Sequence, residues 1–581
     1  MQIILIIHFK KKFKMAYQIS PRGKGFLSKI HKNGKEKELV PPSYNPPLQT
    51  PFDILSILCA IATVGLIVTG FFMYGFIAAG IAILLFSIRE LFIQDDHSIV
   101  RIYGPFGRLR YLIEDALRDK IMQYFTETNT EGRPIPKIVR NYIYARAHNA
   151  KSLTSFGTEV DITDTENTAS ARILHRNFPG EIQKASYSLI IGEQRPDIKT
   201  FKVKSCINVS AMSFGSLNYK ACESISFGTK DIAYCNTGEG GYGPHGVAGN
   251  DVVFQIGTGK FGVGKDCVLN DGTPSRILDD ELLKNLVNDN PNIKMLQIKI
   301  SQGAKPGLGG VLPGAKVTPE IAAVRKVKPW QTVVSPPQHT EIIGSTPKET
   351  IVKLIEFIQK LRKLSNLPVG IKFCIGRLEE IDLLVSVMLT MKDGPDAIQV
   401  DGADGGTGAG PSEFVNYVGY GSVIESMAYL HKKLQVAGLR DKVVLSASGK
   451  LFTPSHAAVA FAYGADIIDT ARGAMLALGC IQALRCHTGE CPTGITTHNS
   501  WRMHGIDIPE KSTRVHFYLK GFHDDMLQLT HVLGRTDPRD IKPQDVRIMS
   551  KHKNEFQKYF EEDPFGLFMP TPEKMIADAL Q

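Results

Sequence analysis

From about residue 200 onward, short apolar runs alternate with helical stretches, and most runs end in a glycine-rich or charged loop. CINVSAM, KMLQIKI, TVVS, VGIKFC, AIQVDG, VVLSAS and ADIIDTA read as strands, while PKETIVKLIEFIQKLRKL and HAAVAFAYG read as helices. That alternation demands a parallel sheet covered by helices. A doubly wound sheet carries one dominant glycine fingerprint, after its first strand. Here NTGEGGYG, QGAKPGLGG, DGADGGTGAGP and SASGK recur along the chain, which favours a (β/α)8 TIM barrel whose loops after the strands build the active site. The expected class is α/β: a TIM barrel with an N-terminal membrane hairpin, a helical linker and a C-terminal helical extension. The expected partition is 1–52 basic leader, 53–90 transmembrane segment, 91–150 linker, 151–500 barrel and 501–581 helical extension.

The net charge of +10 is concentrated in the leader, from Lys10 to Lys37. Without aromatic interleaving or a folded basic motif, this does not point to nucleic acid. It precedes a run from Ile54 to Ile88 that holds no charged residue, far longer than the roughly 20 apolar residues a spanning helix needs. A break at FFMYG, near Gly70, gives a hairpin of two short helices; one long tilted helix is the alternative. Basic residues flank both sides, so both ends are expected in the cytoplasm, with the catalytic domain attached to the membrane there. EDALRDKIMQYF, in the linker, reads as an amphipathic helix.

Cys480, Cys486 and Cys491 fall within twelve residues, in GCIQALRCHTGECPTG, in a chain with 9 cysteines. Their odd number and the lack of a secretory signal disfavour a disulfide. Three converging thiolates suit an iron–sulfur cluster or zinc. Three ligands fit a three-iron cluster, or a four-iron cluster with one other ligand, better than a closed zinc site. Unrelated buried thiols are the plainer reading.

SASGK and TARGAM, after the last two strands, offer Gly449 and Gly473 for close approach of a phosphate. No GxxxxGK[ST] loop is present, so a phosphorylated cofactor fits better than ATP. Lys299 and Lys372 interrupt apolar strands, where a cation needs an anion or polar partner; the electron-rich edge of a reduced flavin would serve. Lys305 and Arg325 suit a carboxylate substrate. Glu239 and Asp404, in glycine loops, are either proton donors or loop braces.

SAMSFGS, NTGEGG, QIGTGKFGV, QGAKPGLGGVLPG, SPPQH, DGADGGTGAGP, ASGK and the cysteine motif together resemble the FMN-binding synthase domain of glutamate synthase, over roughly residues 150–500. The whole chain resembles the stand-alone members that carry a membrane-associated segment. The resemblance implies FMN, and a 3Fe-4S cluster on Cys480, Cys486 and Cys491 that passes electrons to it for reduction of an imino acid formed from 2-oxoglutarate and ammonia. It places Ser210, Ala211, Met212 and Ser213 along the flavin, with Gln255 and Lys372 at its ring. Asp401, Gly402, Gly405, Gly406, Gly449 and Gly473 would hold ribityl and phosphate. Lys305 and Arg325 would grip substrate carboxylates, and Glu239 would be the acid at the reacting centre.

Two departures stand against the family pattern. The glutamine-hydrolysing domain and its amino-terminal Cys are replaced by the leader and apolar run, so ammonia is expected from elsewhere. The family's QGAKPGEGGQLPG becomes QGAKPGLGGVLPG, which puts Leu308 and Val311 where Glu and Gln stand. Loss of hydrogen-bonding side chains from a carboxylate pocket shifts substrate choice among keto and amino acids. The electron donor, a ferredoxin-like protein or a reductase subunit, leaves no readable signature. The alternative function is a membrane-attached flavoprotein that relays electrons to a partner.

Overall fold

Eight strands, each hydrogen-bonded in parallel to the next, close on themselves in a computed structural model of the chain. It describes residues 51–549 except 94–97, most of 110–122, 161–169, 179–180, 182, 270–271, 273 and 302. The basic leader, most of EDALRDKIMQYF and the last 32 residues therefore lie outside the described residues.

The strands are β1 (Ile207–Asn208), β2 (Cys235–Asn236), β3 (Val252–Ile256), β4 (Ile293–Lys299), β5 (Val369–Phe373), β6 (Ala397–Asp401), β7 (Val444–Ser448) and β8 (Ile467–Asp469). Each pairs with its sequence neighbours, β8 pairs with β1, and a parallel bridge from Val209 to Cys235 joins β1 to β2. This is the (β/α)8 barrel. All of β3, β5 and β6 is buried, as parallel strands covered on both faces must be.

Successive inward positions along a strand lie two residues apart, and they change character from bottom to top. Val253, Met295, Ala397 and Ile467 form an apolar lower layer, plugged by the hairpin of Leu189–Ile191 and Phe201–Val203. Two residues on come Gln255, Gln297, Gln399 and Asp469, all buried. Burying polar groups is tolerated only when they bond to one another. Here Asn236 and Gln255 donate to Gln297 Oε1 at 2.8 and 2.7 Å, Gln297 donates to Gln399 at 3.0 Å, and Gln399 donates to Asp469 at 3.0 Å.

TVVS is not a barrel strand. Val333–Val334 pairs antiparallel with Val311–Leu312 in a small ribbon beyond β4, with Val334 exposed. β2 and β3 take the places that the expected strand list left open; two residues of β2 are too few to show a period. Helices follow the strands, among them Tyr219–Thr229, Pro347–Ser365, Leu378–Met391, Val423–Val436 and Pro454–Ala462. The long helix Ile508–Val532 packs against Tyr219–Thr229, Lys137–Ala147 and Pro454–Ala462 outside the barrel. Beyond it, Val546–Met549 pairs with Ser170–Ile173.

The chain divides into two compact units, 1–126 and 127–581, so the barrel unit begins before residue 150 and takes in Lys137–Ala147. In the first unit, the uncharged run forms two helices, Pro51–Val68 and Phe72–Ile88, joined at Gly70, whose φ of +83° suits glycine. They pack where Gly75 meets Ile67 and Thr63, and most of their large apolar side chains are exposed. Phe72–Ile93 is long and apolar enough to cross a membrane; Ile54–Val68 is apolar but shorter. At the foot of this pair, buried Glu90 holds Arg89 and Arg108.

Candidate active site

The C-terminal ends of the strands gather the charged residues. Glu239, in the turn after β2, accepts an ion pair from Lys299 at the end of β4, 2.9 Å away. Glycines permit this. A Cβ on Gly257 would fall 2.6 Å from the Glu239 side chain, and one on Gly310 would fall 2.8 Å from Oε1. Burial works to raise the Glu239 value, but Lys299, then Arg325 and Lys305, outweigh it and hold the carboxyl below its ordinary range. Glu239 is thus an anion in the resting site.

Lys305 and Arg325 stand around that anion. Lys305 is buried and makes no hydrogen bond or ion pair among the described residues; burial pulls its value down against the attraction of Glu239. Arg325 is buried, donates from Nη2 to the Phe214 carbonyl at 2.8 Å and lies 4.8 Å from the Phe261 ring centroid. Its Nε has no partner among the described residues. Burial lowers its value to about 10, against Glu239. The three residues expected to act on substrate therefore share one electrostatic environment.

Lys372 pairs with Asp401 at 3.3 Å, both buried. Asp401 also accepts from the Gly303 N–H at 2.9 Å and the Ser448 hydroxyl at 3.1 Å. Ser448 meets Ser210 at 3.2 Å, which in turn accepts from Gln399. The Met212 carbonyl is engaged by buried His245, and Ser213 meets the Ser216 hydroxyl at 2.9 Å. Ala211 lies beside them in the same loop after β1.

The glycines of the loops after β6, β7 and β8 stand at close approaches. A Cβ on Gly449, where φ is +140°, would lie 2.7 Å from Asp404 Oδ1. On Gly405 it would lie 2.9 Å from Asp401 Oδ1, on Gly406 2.8 Å from Arg472 Nε, and on Gly402 2.4 Å from the Val423 N. Gly473 has a different neighbour: Tyr518 of the long outer helix would meet its Cβ at 2.4 Å, so packing also demands glycine there. Arg472, not singled out from the sequence, donates to the Asp404 carbonyl at 2.7 Å and brings a half-buried cation to these loops. TARGAM held that signal, an Arg opening the helix after the last strand. The glutamine layer was legible too, as the repeated pattern FQI, LQI and IQV.

Cys480, Cys486 and Cys491 line one loop after β8, near enough to influence one another's charge. Burial pushes Cys480 up to about 12 and also raises Cys486. Cys491 is lowered: burial acts upward, but the hydroxyl and N–H groups of Thr493 and Thr496 prevail. Lys316 reaches into the same loop and donates to the carbonyls of Cys486 at 2.9 Å and Thr496 at 3.2 Å. Among the described residues, no three His, Cys, Asp or Glu side chains are gathered closely enough to hold a metal ion. Each thiolate of a three-iron cluster binds its own iron, so such a cluster does not require the tight shell of one ion.

The family model described as the conserved region in glutamate synthase matches residues 142–536. The Bacillus subtilis glutamate synthase large subunit-like protein YerD is 32% identical over 505 residues, 80% of this chain and 93% of that protein. The archaeal glutamate synthase [NADPH] of Methanocaldococcus jannaschii is 28% identical, over 61% of this chain and 64% of its own length. The ferredoxin-dependent glutamate synthase of Cyanidium caldarium is 32% identical over 58% of this chain, which spans only 22% of that enzyme.

Proposed function

The chain belongs to the glutamate synthase family, and from that premise we propose that it reduces a carbon–nitrogen double bond derived from a keto acid, at an FMN held in the barrel mouth. It is an oxidoreductase of the glutamate synthase type. The observation that carries the reading is the charge arrangement at the mouth, where Lys299 and Lys372 are each matched by a carboxylate while Lys305, among the described residues, is not.

The residues present fit the cofactor. Glycine loops backed by Arg472 form a corner where backbone N–H groups and a cation can meet a phosphate. Asp401, fixed by Gly303 and Ser448, would accept from a sugar-like chain, and Lys372 and Gln255 would meet the ring edge. FMN supplies hydride transfer when bound, and a 3Fe-4S cluster on Cys480, Cys486 and Cys491 supplies single electrons. The protein's own part is positional. Lys305 holds the substrate carboxylate and Arg325 adds positive charge beside it. Glu239, kept anionic by Lys299, orients the amine or imine, and takes or returns a proton there. Leu308 and Val311, both exposed near Gly310, give the mouth an apolar rim, which favours a less polar acid than 2-oxoglutarate.

The helix pair 51–88 would attach the enzyme to a membrane, with the barrel on the cytoplasmic side. Electrons would come from a ferredoxin-like protein or a reductase subunit. The test is an anaerobic screen in which reduced protein is mixed with ammonia and a panel of 2-oxo acids, with 2-oxoglutarate among them. Flavin reoxidation that needs both components supports the reading. Reoxidation by a partner protein alone, with no acid effective, favours the electron relay.

A further inference from the structure

Arg140 lies on the helix Lys137–Ala147 and is 1% exposed. Its Nη2 donates to Glu127 Oε2 at 2.5 Å, yet among the described residues Nε and Nη1 have no partner. Leaving a buried charged donor unpaired is costly, so an acceptor is called for at this spot. The helix is tied to the cysteine loop. One turn beyond Arg140, Tyr144 donates to the Cys480 carbonyl at 2.7 Å. Gln482 accepts from the Ile135 N–H at 3.0 Å and donates to the Arg133 carbonyl at 3.0 Å, while its own N–H points to Cys480 Sγ at 3.4 Å.

We propose that Arg140 is a positioning residue that sets the reduction potential of an iron–sulfur cluster on the cysteine loop, its free N–H groups facing the cluster's sulfur. This rests on the cluster assigned above. Reduction adds one electron to a buried, already anionic group, and a fixed cation in a low-dielectric setting favours that added charge. Glu127 tempers the cation from the far side. Lys316 differs because carbonyls already engage its ammonium.

The test is an EPR-monitored redox titration of the full-length, anaerobically purified protein, with iron and sulfide assayed in each sample. R140Q is expected to lower the midpoint by a tenfold change in the reduced-to-oxidised ratio, about 59 mV for one electron. R140K should recover most of that shift, and E127Q should move the midpoint the opposite way. A cluster-replete R140Q with an unchanged midpoint overturns the proposal while leaving the cluster assignment intact. Wild type without iron or sulfide overturns the assignment itself, and the proposal with it. If R140Q loses its cluster, E127Q decides: a raised midpoint supports the role, and an unchanged one refutes it.

Discussion

Lys299 and Lys305 lie six residues apart on the same side of the barrel mouth, and their partners separate their roles. Lys299 is neutralised by Glu239, whereas Lys305, unpaired among the described residues, is left to meet a ligand anion. Lys305→Gln should raise KM for the acid substrate by roughly 10–100-fold, the loss of one charge-assisted hydrogen bond, with flavin content unchanged; steady-state kinetics with a flavin assay check it. Deeper in the barrel, burial raises Asp469 to about 6 against hydrogen bonds from Ser446 and Tyr234, from an ordinary value of 3.8. A folded-state value above the unfolded one means this stability is fully present below pH 3.8 and lost as pH rises through about 6. It amounts to about 3 kcal/mol. Asp469→Asn should remove it, and urea denaturation of both proteins from pH 4 to 7 would show the variant gaining stability relative to wild type as pH rises.

Individual elements depend on backbone contacts that a sequence hides. A Cβ on Gly303 would lie 1.8 Å from the Gly402 carbonyl oxygen, so the loops after β4 and β6 meet only through glycine. Gly303→Ala should destabilise the barrel by about 1–3 kcal/mol and release flavin, read by denaturation and by the flavin-to-protein ratio. The uncharged run makes a different demand, since its exposed apolar faces suit lipid. Ile77→Arg with Leu84→Arg should cost about 2.5–3.5 kcal/mol per charge at mid-membrane and move the full-length chain out of the carbonate-resistant membrane fraction; wild type in the soluble fraction would contradict attachment. The strand-and-loop rhythm showed the parallel barrel, because buried strands and glycine loops leave compositional marks. TVVS misled because a four-residue apolar run has no period of its own, and β2 was too short to register. Arg472 and Arg140 escaped notice for another reason: an arginine in a helical stretch looks solvated until burial is known.

For the molecule as a whole, the barrel gathers residues as distant in sequence as Ser210 and Ser448 into one polar layer beneath the mouth, and the cysteine loop follows the last strand. Lys299 and Lys372 stood out in the sequence because each interrupts an apolar strand. Pairings such as Glu239 with Lys299 and Lys372 with Asp401 did not, since they join residues from different strands. By the proposal made above, this barrel mouth carries FMN beside an iron–sulfur loop. Anaerobic purification followed by absorbance, iron and sulfide analysis tests it most directly. A yellow-brown protein with flavin absorbance and near-equal iron and sulfide is the predicted result; a folded protein that is colourless and free of iron would contradict it.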